Sequence, residues 1–278
     1  MASVKMLAVA GSAVILSLNA AGAADLGLPI APAPVVVEYS GWYLRGDIGF
    51  TNQRVKSPKY DWGTLAPPNS VQMISKEFET GGIFGLGIGY QFNSWLRADV
   101  TGEYRSASTF HGYEINTFGT TLFPEHNTLI KTEWVALANF YADLGTWWCV
   151  TPFVGFGVGA SNVRLSGFED IVVGSLNPGV GGTFINANNS AAANSQWNFA
   201  WAVHAGLAYK VTPNFTVELA YRYLNLGDGK TGTITGFDGT YQGAGYAFDD
   251  IYSHDVKLGV RWLLNEPPPP PVPLITKG

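Results

Sequence analysis

The chain contains little cysteine and little charge. Cys149 is the only cysteine among 278 residues, so neither an intramolecular disulfide nor a cysteine-based zinc site can form. We expect this thiol to be a small buried or interfacial side chain. Charged residues make up 13% of the sequence, well below the roughly 25% of soluble domains. Because the net charge is −5 and there is no basic surplus, nucleic acid is not an expected partner.

Long hydrophobic runs are missing as well, with one exception near residue 1. Lys5, the apolar run Met6–Leu18 and the small residues Ala21–Ala24 form the pattern of a cleaved signal peptide, which we predict over residues 1–24. No later stretch reaches the roughly 18 apolar residues that a transmembrane helix needs. If the exported protein lies in a membrane, it must therefore cross it as strands.

What the sequence does contain is alternation with a period of two. Trp42, Leu44, Ile48 and Phe50 would share one face of a strand, and the residues between them are mostly charged or glycine. The same pattern returns between residues 253 and 262. Eight segments of this kind are predicted as strands: Trp42–Thr51, Ile83–Phe92, Leu96–Arg105, Glu133–Asp143, Pro152–Asn162, Asn198–Lys210, Phe215–Leu226 and Ser253–Leu264.

The connections between these segments are of two lengths. Three are short, at residues 93–95, 144–151 and 211–214, and four are long, at residues 52–82, 106–132, 163–197 and 227–252. Short periplasmic turns and long extracellular loops are typical of outer-membrane barrels. We therefore predict an all-β fold, an eight-stranded antiparallel transmembrane β-barrel over residues 41–264. Whether the barrel has ten strands instead of eight, through an extra hairpin in residues 163–197, stays open.

Aromatic residues on the apolar face gather near both ends of the predicted strands. Membrane interfaces favour such girdles, whereas a soluble β-sandwich or lipocalin-like barrel would place its aromatics centrally. The predicted girdle residues are Trp42, Phe92, Trp95, Tyr104, Trp134, Trp201, Tyr209, Tyr221 and Trp262.

Charged residues fall on the opposite face, which we expect to line the barrel interior. A lysine or arginine facing lipid at mid-depth would cost roughly 2–4 kcal/mol, so strict sorting favours a membrane barrel. The predicted interior charges are Arg45, Asp47, Arg97, Asp99, Glu103, Arg105, Glu133, Asp143, Glu218, Arg222, Asp255, Lys257 and Arg261. They either pair into a plug or border a narrow water path, and the sequence does not separate these interpretations.

Two motifs resemble catalytic or nucleotide sites but lack the required setting. The glycines of residues 85–89 and 155–159 have no strand-turn-helix context for a phosphate, and we expect them to leave room inside a narrow barrel. In Ser253-His254-Asp255, His254 would point away from its neighbours, so no catalytic relay forms there. We expect no enzyme activity, no cofactor and no metal site.

Five segments together resemble the small outer-membrane β-barrel surface proteins of Gram-negative bacteria, of the porin-family or OmpA-type barrel domain. They are Gly41–Gly49, Gly85–Tyr90, Pro152–Gly159, Leu219–Gly227 and Ser253–Trp262. The resemblance implies a barrel in the outer membrane with its ends in the periplasm. Members of the family differ in activity, including structural roles, host contact and haem binding, so membership indicates location better than task.

The flanking segments are rich in proline. Residues 25–40 are predicted as an extended N-terminal spacer, and residues 265–278 as a periplasmic tail beyond the barrel. The tail is a departure from the family, whose barrels usually finish at a terminal aromatic residue. It is a candidate contact with a periplasmic partner such as peptidoglycan.

The function that we predict is non-enzymatic, a structural and surface-exposed role in the cell envelope. The alternatives are a small porin for passive diffusion of small solutes and a loop-mediated adhesin or ligand receptor, for example for haem. Expected partners are outer-membrane lipid, lipopolysaccharide, the barrel-assembly machinery and a host ligand. The last long connection, with Asp228, Asp238, Asp249 and Asp250 among tyrosines, is the candidate contact site for such a ligand or for a divalent ion.

Overall fold

The computed structural model describes residues 40–177, 181–183 and 187–264. The predicted signal peptide, nearly all of the predicted spacer and the predicted tail lie outside the described residues. Within the described ranges, no helix is long and apolar enough to cross a membrane.

Fourteen strands make up the described chain, eight of them long. In chain order they are β1 (Gly41–Asp61), β2 (Ser70–Phe78), β3 (Gly81–Gln91), β4 (Leu96–Phe118), β5 (Thr121–Asp143), β6 (Val150–Val172), β7 (Ser175–Asn177), β8 (Gly181–Thr183), β9 (Ala187–Ala191), β10 (Asn194–Lys210), β11 (Phe215–Lys230), β12 (Ile234–Gly236), β13 (Tyr241–Gly243) and β14 (Gly245–Leu263).

The long strands form a closed antiparallel ring in the order β1-β3-β4-β5-β6-β10-β11-β14. Strand β14 closes the ring because it pairs with β11 on one side and with β1 on the other, where Arg45 lies opposite Arg261. The predicted eight-stranded antiparallel barrel is confirmed. The described part of segment 163–197 adds no strand to this ring, since β7 pairs with β5 and β8, and β9 pairs with β6 and β12.

The predicted strand ends at the long connections were wrong, because several strands run far into the expected loops, whereas those at the short turns agree closely with the structure. Residues 106–132 form the continuation of the β4–β5 hairpin, which stays paired as far as Phe118 and Thr121. Gly119, with a φ of 61°, supplies the left-handed conformation of the tight turn. Strand β1 likewise continues to Asp61 and β6 to Val172. We call the part of the sheet beyond the predicted strands the barrel extension. It consists of β1 beyond Asn52, β2, the hairpin between Thr109 and Ile130, β6 beyond Val163, β7–β9, and residues 227–252, which include β12 and β13.

The lower part of the barrel carries an apolar band on its outside. Leu44, Ile48 and Phe50 on β1 are 48%, 57% and 70% exposed, whereas the next two outward residues along the strand are Asn52 and Arg54. The nine predicted girdle residues all point outward, and Tyr104 is the one among them that is only partly exposed. Phe84 lies opposite Tyr104, which lies opposite Trp134, so three neighbouring strands share an aromatic row below the barrel extension.

Inside the barrel, glycines allow large side chains to cross the narrow lumen. A Cβ atom on Gly155 would lie 2.5 Å from Cδ1 of Tyr141, and one on Gly87 would lie 2.8 Å from Cγ2 of Thr101. Both distances are too short for real contacts, so these positions accept glycine alone without a shift of their neighbours. The glycine motifs of the sequence therefore serve the packing of the interior.

Candidate functional site

All thirteen predicted interior charges point into the barrel and are buried, with at most 9% of their surface exposed. They come from five of the eight long strands, β1, β4, β5, β11 and β14, and meet because alternate residues of every strand face the same lumen. The register of the ring decides which of them pair. Three groups follow one another from the short-turn end towards the barrel extension.

The first group surrounds Arg97, near the short turns. Its Nε donates to Oδ1 of Asp143 at 3.1 Å, and its Nη2 lies 3.4 Å from Oε1 of Glu218. The guanidinium lies over the rings of Tyr141 and Phe153, with its carbon 4.1 and 4.7 Å from their centres. Arg97 is therefore held by ion pairs and by contacts with the faces of two aromatic rings.

The second group is centred on Arg45. Its Nε and Nη2 bind both carboxylate oxygens of Asp47 at 3.0 and 2.8 Å, and its Nη1 donates to Asp99 at 2.7 Å. The Tyr141 hydroxyl accepts a further bond from Nη1 at 2.9 Å. Asn139 donates to the other oxygen of Asp99 at 2.8 Å. Such bidentate and charge-assisted bonds fix the guanidinium in one orientation.

The third group joins Arg105, Arg222, Glu103, Asp255 and Lys257. Arg105 binds both oxygens of Asp255 at 2.9 and 3.0 Å. Arg222 bridges from Asp255, at 2.7 Å, to Glu103, at 2.6 Å. Lys257 donates to the second oxygen of Glu103 at 3.2 Å. Charges from β4, β11 and β14 thus form a continuous bridge across the lumen.

The remaining predicted charges complete these groups. Arg261 lies 3.4 Å from Glu218, and Glu133 accepts from Arg105 at 2.8 Å and from Gln53 at 3.1 Å.

One member of the network was missed by the sequence reasoning. Lys131 is 1% exposed and its ammonium donates to Glu133, although residues 106–132 had been assigned to a loop. With Lys131 included, seven basic side chains face seven carboxylates: Arg45, Arg97, Arg105, Lys131, Arg222, Lys257 and Arg261 against Asp47, Asp99, Glu103, Glu133, Asp143, Glu218 and Asp255. The formal charge of this part of the interior is therefore balanced. The signal that could have revealed Lys131 is its parity, which continues from Glu133 along β5.

An apolar layer lies above the charge network. Phe110 packs against Phe248 with ring centres 4.9 Å apart, and Phe168 stacks on Tyr246 at 5.3 Å. All four side chains are at most 1% exposed and belong to one cluster that also contains Leu129 and Ile251. At the opposite end of the barrel, a cavity of about 130 Å³ is lined by residues including Asp143, Thr216 and Arg261.

A second set of buried charges lies within the barrel extension, and the sequence reasoning missed it. Glu114, Glu125 and Asp170 are 1%, 5% and 2% exposed. Burial raises the pKa of Glu114 to about 7. Burial, together with the charge of Asp170, raises the pKa of Glu125, and burial raises that of Asp170. Each carboxylate accepts a bond from an asparagine amide rather than from a basic side chain.

His254 does not combine with Ser253 and Asp255 into a catalytic group. Ser253 and Asp255 are fully buried and both bind Arg105, whereas His254 points outward and its Nδ1 lies 2.6 Å from the Tyr221 hydroxyl. Cys149 is exposed in the turn between β5 and β6, so of the two expectations, a buried or an interfacial thiol, the buried one was wrong.

The acidic residues of the last connection are spread rather than gathered. Asp249 binds Lys59 at 2.5 Å, Asp250 lies 3.5 Å from Lys56, and Asp238 binds the backbone and hydroxyl of Thr240. Across the described residues, no group of three His, Cys, Asp or Glu side chains is arranged to hold a metal ion.

Comparison with known proteins places this architecture in a family. Residues 12–262 match the sequence model of the outer membrane protein beta-barrel domain. The crystal structure of Neisserial surface protein A aligns with a TM-score of 0.41 and 17% identity, over 82% of this chain and 100% of that one. A protein of Rickettsia prowazekii (strain Madrid E), provisionally named an adhesin, is 27% identical over 229 residues, 80% of this chain and 86% of its own.

An uncharacterised protein of Brucella abortus (strain 2308) is 30% identical over 284 aligned residues, which cover 89% of this chain and 94% of the relative. This similarity and the family match agree with the closed ring of strands and its apolar outer band. The chain belongs to the outer membrane protein beta-barrel domain family and is a Gram-negative outer-membrane protein, surrounded by the lipid of that membrane, with a surface-exposed role in the cell envelope.

Proposed function

We propose that the barrel is a closed, non-conducting scaffold that anchors the barrel extension outside the cell. The observation that carries this proposal is the filling of the lumen at two levels. Seven basic side chains and seven carboxylates occupy the part within the apolar band, and the aromatic layer around Phe110 and Phe248 lies above them.

A conducting path would need continuous water beside these groups. The Arg105 guanidinium already binds Glu103, Glu133 and Asp255, so its hydrogens are committed to protein partners. Directly above it, the buried rings of Phe110 and Phe248 offer an ion no charged partner at the level of the aromatic layer. The same features argue against the alternative of a small porin.

Conductance of the purified full chain in planar bilayers tests the proposal. We expect a silent bilayer from protein that circular dichroism shows to be folded and rich in β-structure. A variant with Phe110→Ala and Phe248→Ala, which thins the aromatic layer, should conduct more than the matched exterior variant Phe84→Ala. Discrete and reproducible conductance steps from the unchanged protein would contradict a closed lumen and favour the porin.

The proposed role is non-enzymatic. Support comes from the separation of His254 from the buried Ser253 and Asp255, which leaves no hydrolytic relay in this motif. Incubation of the reconstituted protein with lipid vesicles and with an unstructured peptide should release no fatty acid and no fragments. Release that persists on purification to homogeneity would contradict this part of the proposal.

A second function, contact with a host ligand, is favoured by the shape of the barrel extension and by the Rickettsia relative. Phe237 is 87% exposed in the turn between β12 and β13, and Val71 and Ile74 on β2 are each 51% exposed. Aromatic and apolar side chains at exposed tips are the residues that commonly anchor protein contacts. We propose that the β12–β13 tip contacts a host protein, and haem is a further candidate ligand for the same surface.

Adherence to cultured animal cells by bacteria that display the full chain tests this second function. Phe237→Ala should lower adherence without lowering the amount of protein at the surface. The control variant Phe84→Ala, which removes a ring that is 56% exposed from the apolar band, should adhere normally. Equal adherence of both variants and of the unchanged protein would exclude the tip as the contact.

Three further partners complete the proposed role. Lipopolysaccharide would surround the upper part of the apolar band, near Phe50 and Phe84. The barrel-assembly machinery would receive the strand β14, which has to close the ring. Peptidoglycan is proposed for residues 265–278. Photo-crosslinking from position 262 in cells, expected to trap the assembly machinery, tests the second of these contacts.

A further inference from the structure

Three carboxylates form a row inside the barrel extension. Glu114 on β4 lies directly opposite Glu125 on β5, and Asp170 on β6 lies opposite Asn127 on β5. Like charges directly opposite each other in a sheet are destabilising, and burial removes the water that would screen them. The row is therefore unfavourable if all of its members carry charge.

No basic side chain in the described chain compensates this row. The neighbouring titratable groups are Tyr60 from β1 and Tyr246 from β14, and the closest buried ammonium on β5, that of Lys131, is bound to Glu133 below. Lys230 of β11 is paired with Asp61 of β1 at 2.6 Å, and Lys59 with Asp249. Asn189 from β9 adds only an amide, which donates to Asp170 at 2.9 Å.

Each of the two asparagine amides beside the glutamates uses its NH2 group in a hydrogen bond, but its oxygen has no hydrogen-bond partner. Asn116 donates to Glu125 at 2.7 Å and Asn127 donates to Glu114 at 3.0 Å, yet the Oδ1 atom of each amide is buried and receives no hydrogen bond. Both asparagines are 0% exposed. A carboxylate has no hydrogen to offer these oxygens, whereas a carboxylic acid has one.

We propose that Glu114 and Glu125 each bind a proton in the folded barrel and donate it in a hydrogen bond to a buried asparagine Oδ1, so that the barrel extension is a proton-dependent structure. Each acid takes its proton from the surrounding water and returns it there when the extension opens. Protonation removes the repulsion along the row and satisfies the amide oxygens at once. The inference goes beyond the proposed scaffold function and does not depend on it.

The direction of the pH dependence follows from linkage. In the opened extension the glutamates meet water and regain an ordinary pKa near 4.5, whereas burial raises the pKa of Glu114 to about 7 in the folded state. Between these values the folded state binds more protons than the opened one. The stability contributed by this proton is therefore complete below the ordinary pKa and is lost as the pH rises towards and through the raised one.

Hydrogen exchange of the full chain in lipid vesicles between pH 5 and pH 9 tests the inference, with opening constants corrected for intrinsic exchange rates. The opening constant of amides between Phe110 and Asn127 should rise with pH, at most about tenfold per pH unit for each proton released. Amides of the apolar band should show no such rise. The double variant Glu114→Gln and Glu125→Gln, which keeps both shapes and a hydrogen-bond donor, should show a markedly flatter profile, in which only the contribution of Asp170 remains.

Two controls keep the inference falsifiable. Glu169→Gln, beside Asp170 but on the exposed face of β6, should leave the wild-type profile unchanged. The infrared carbonyl band of protonated carboxylic acids should be present in the wild type at pH 6 and weaker in the double variant. Identical exchange profiles for wild type and double variant, or no such band, would overturn the inference. So would a loss of protection at pH 6 on addition of a chelator, since a bound cation would then neutralise the row.

Discussion

The two buried polar regions of this barrel solve the same problem in opposite ways. Within the apolar band, every carboxylate of the interior network has a basic partner, seven against seven. In the barrel extension, Glu114, Glu125 and Asp170 have amide donors and no basic partner among the described residues. Charge can be buried when opposite charges arrive from neighbouring strands, and otherwise the group must become neutral. The comparison shows that two equally polar parts of a barrel interior can differ in whether their carboxylates are charged or protonated.

The largest expected effect comes from breaking the balance within the apolar band. Arg105→Ala leaves Asp255 and Glu133 buried without their main partner, and we expect a loss of about 3–5 kcal/mol in the free energy of unfolding. Urea titration of the protein folded in vesicles measures it. Lys59→Ala, which breaks an ion pair at the surface of the extension, should lower the free energy of unfolding far less. Similar losses in both variants would mean that the network contributes no more than a surface pair.

A second prediction concerns the outside of the two regions. Leu258 lies in the apolar band and faces outward, and Ile115 lies on the outside of the barrel extension. Leu258→Arg should destabilise the folded protein by about 2–4 kcal/mol, because the charge would face lipid. Ile115→Arg should cost far less, since water surrounds the extension.

Refolding yield in lipid vesicles separates these cases. Val256→Arg should behave as Leu258→Arg does, and Lys257→Ala, on the inward face, should be milder if a neighbouring charge rearranges. Equal yields for the arginine variants at positions 256, 258 and 115 would show that the outer surface of the two regions does not differ.

The smallest expected effect comes from giving the extension a cation. Asn189 is 9% exposed and donates to Asp170, so Asn189→Lys would place an ammonium beside that carboxylate with access to water. The pKa of Asp170, which burial raises, should fall, and the pH dependence of opening near β6 should weaken. Stability at pH 8 should rise by about 1 kcal/mol. Hydrogen exchange of β6 and β9 measures the change, and an unaltered pH profile would count against the contrast drawn above.

The sequence predicted the ring of strands because lipid imposes a strong contrast between the two faces of each strand. Trp42, Leu44 and Ile48 must be apolar where charged residues alternate with them, and this contrast has a clear period of two. Beyond the membrane, water surrounds the strands, and the contrast between an apolar and a charged face disappears. Phe110 lies inside and Ile115 outside on the same strand, so β4 and β5 look like a loop in their upper halves.

The same loss of contrast explains what the sequence reasoning missed at the candidate site. Lys131 and Glu125 continue the inward parity of β5, but only the observed strand ends make that parity visible. Glu114 does not continue the parity of β4, because a register shift between Arg105 and Ser108 moves the inward face from odd to even positions. The sequence did not predict which interior charges pair with each other, and the reason is different. Arg105 meets Asp255 because β4 and β14 face each other across the lumen, and this depends on the closure of the ring rather than on local pattern.

The pairing of β1 with β14 has a consequence for how the barrel is made. Its ladder runs from Tyr43 opposite Leu263 to Asp61 opposite Gly245, so it joins segments from opposite ends of the described chain. Contacts between such distant segments form slowly, because the intervening chain must be ordered first. Until β14 arrives, β1 presents an unpaired edge with apolar side chains, which is a template for aggregation. The arrival of β14, the last strand of the described chain, therefore sets both the completion of the barrel and the period during which the unfinished sheet needs protection.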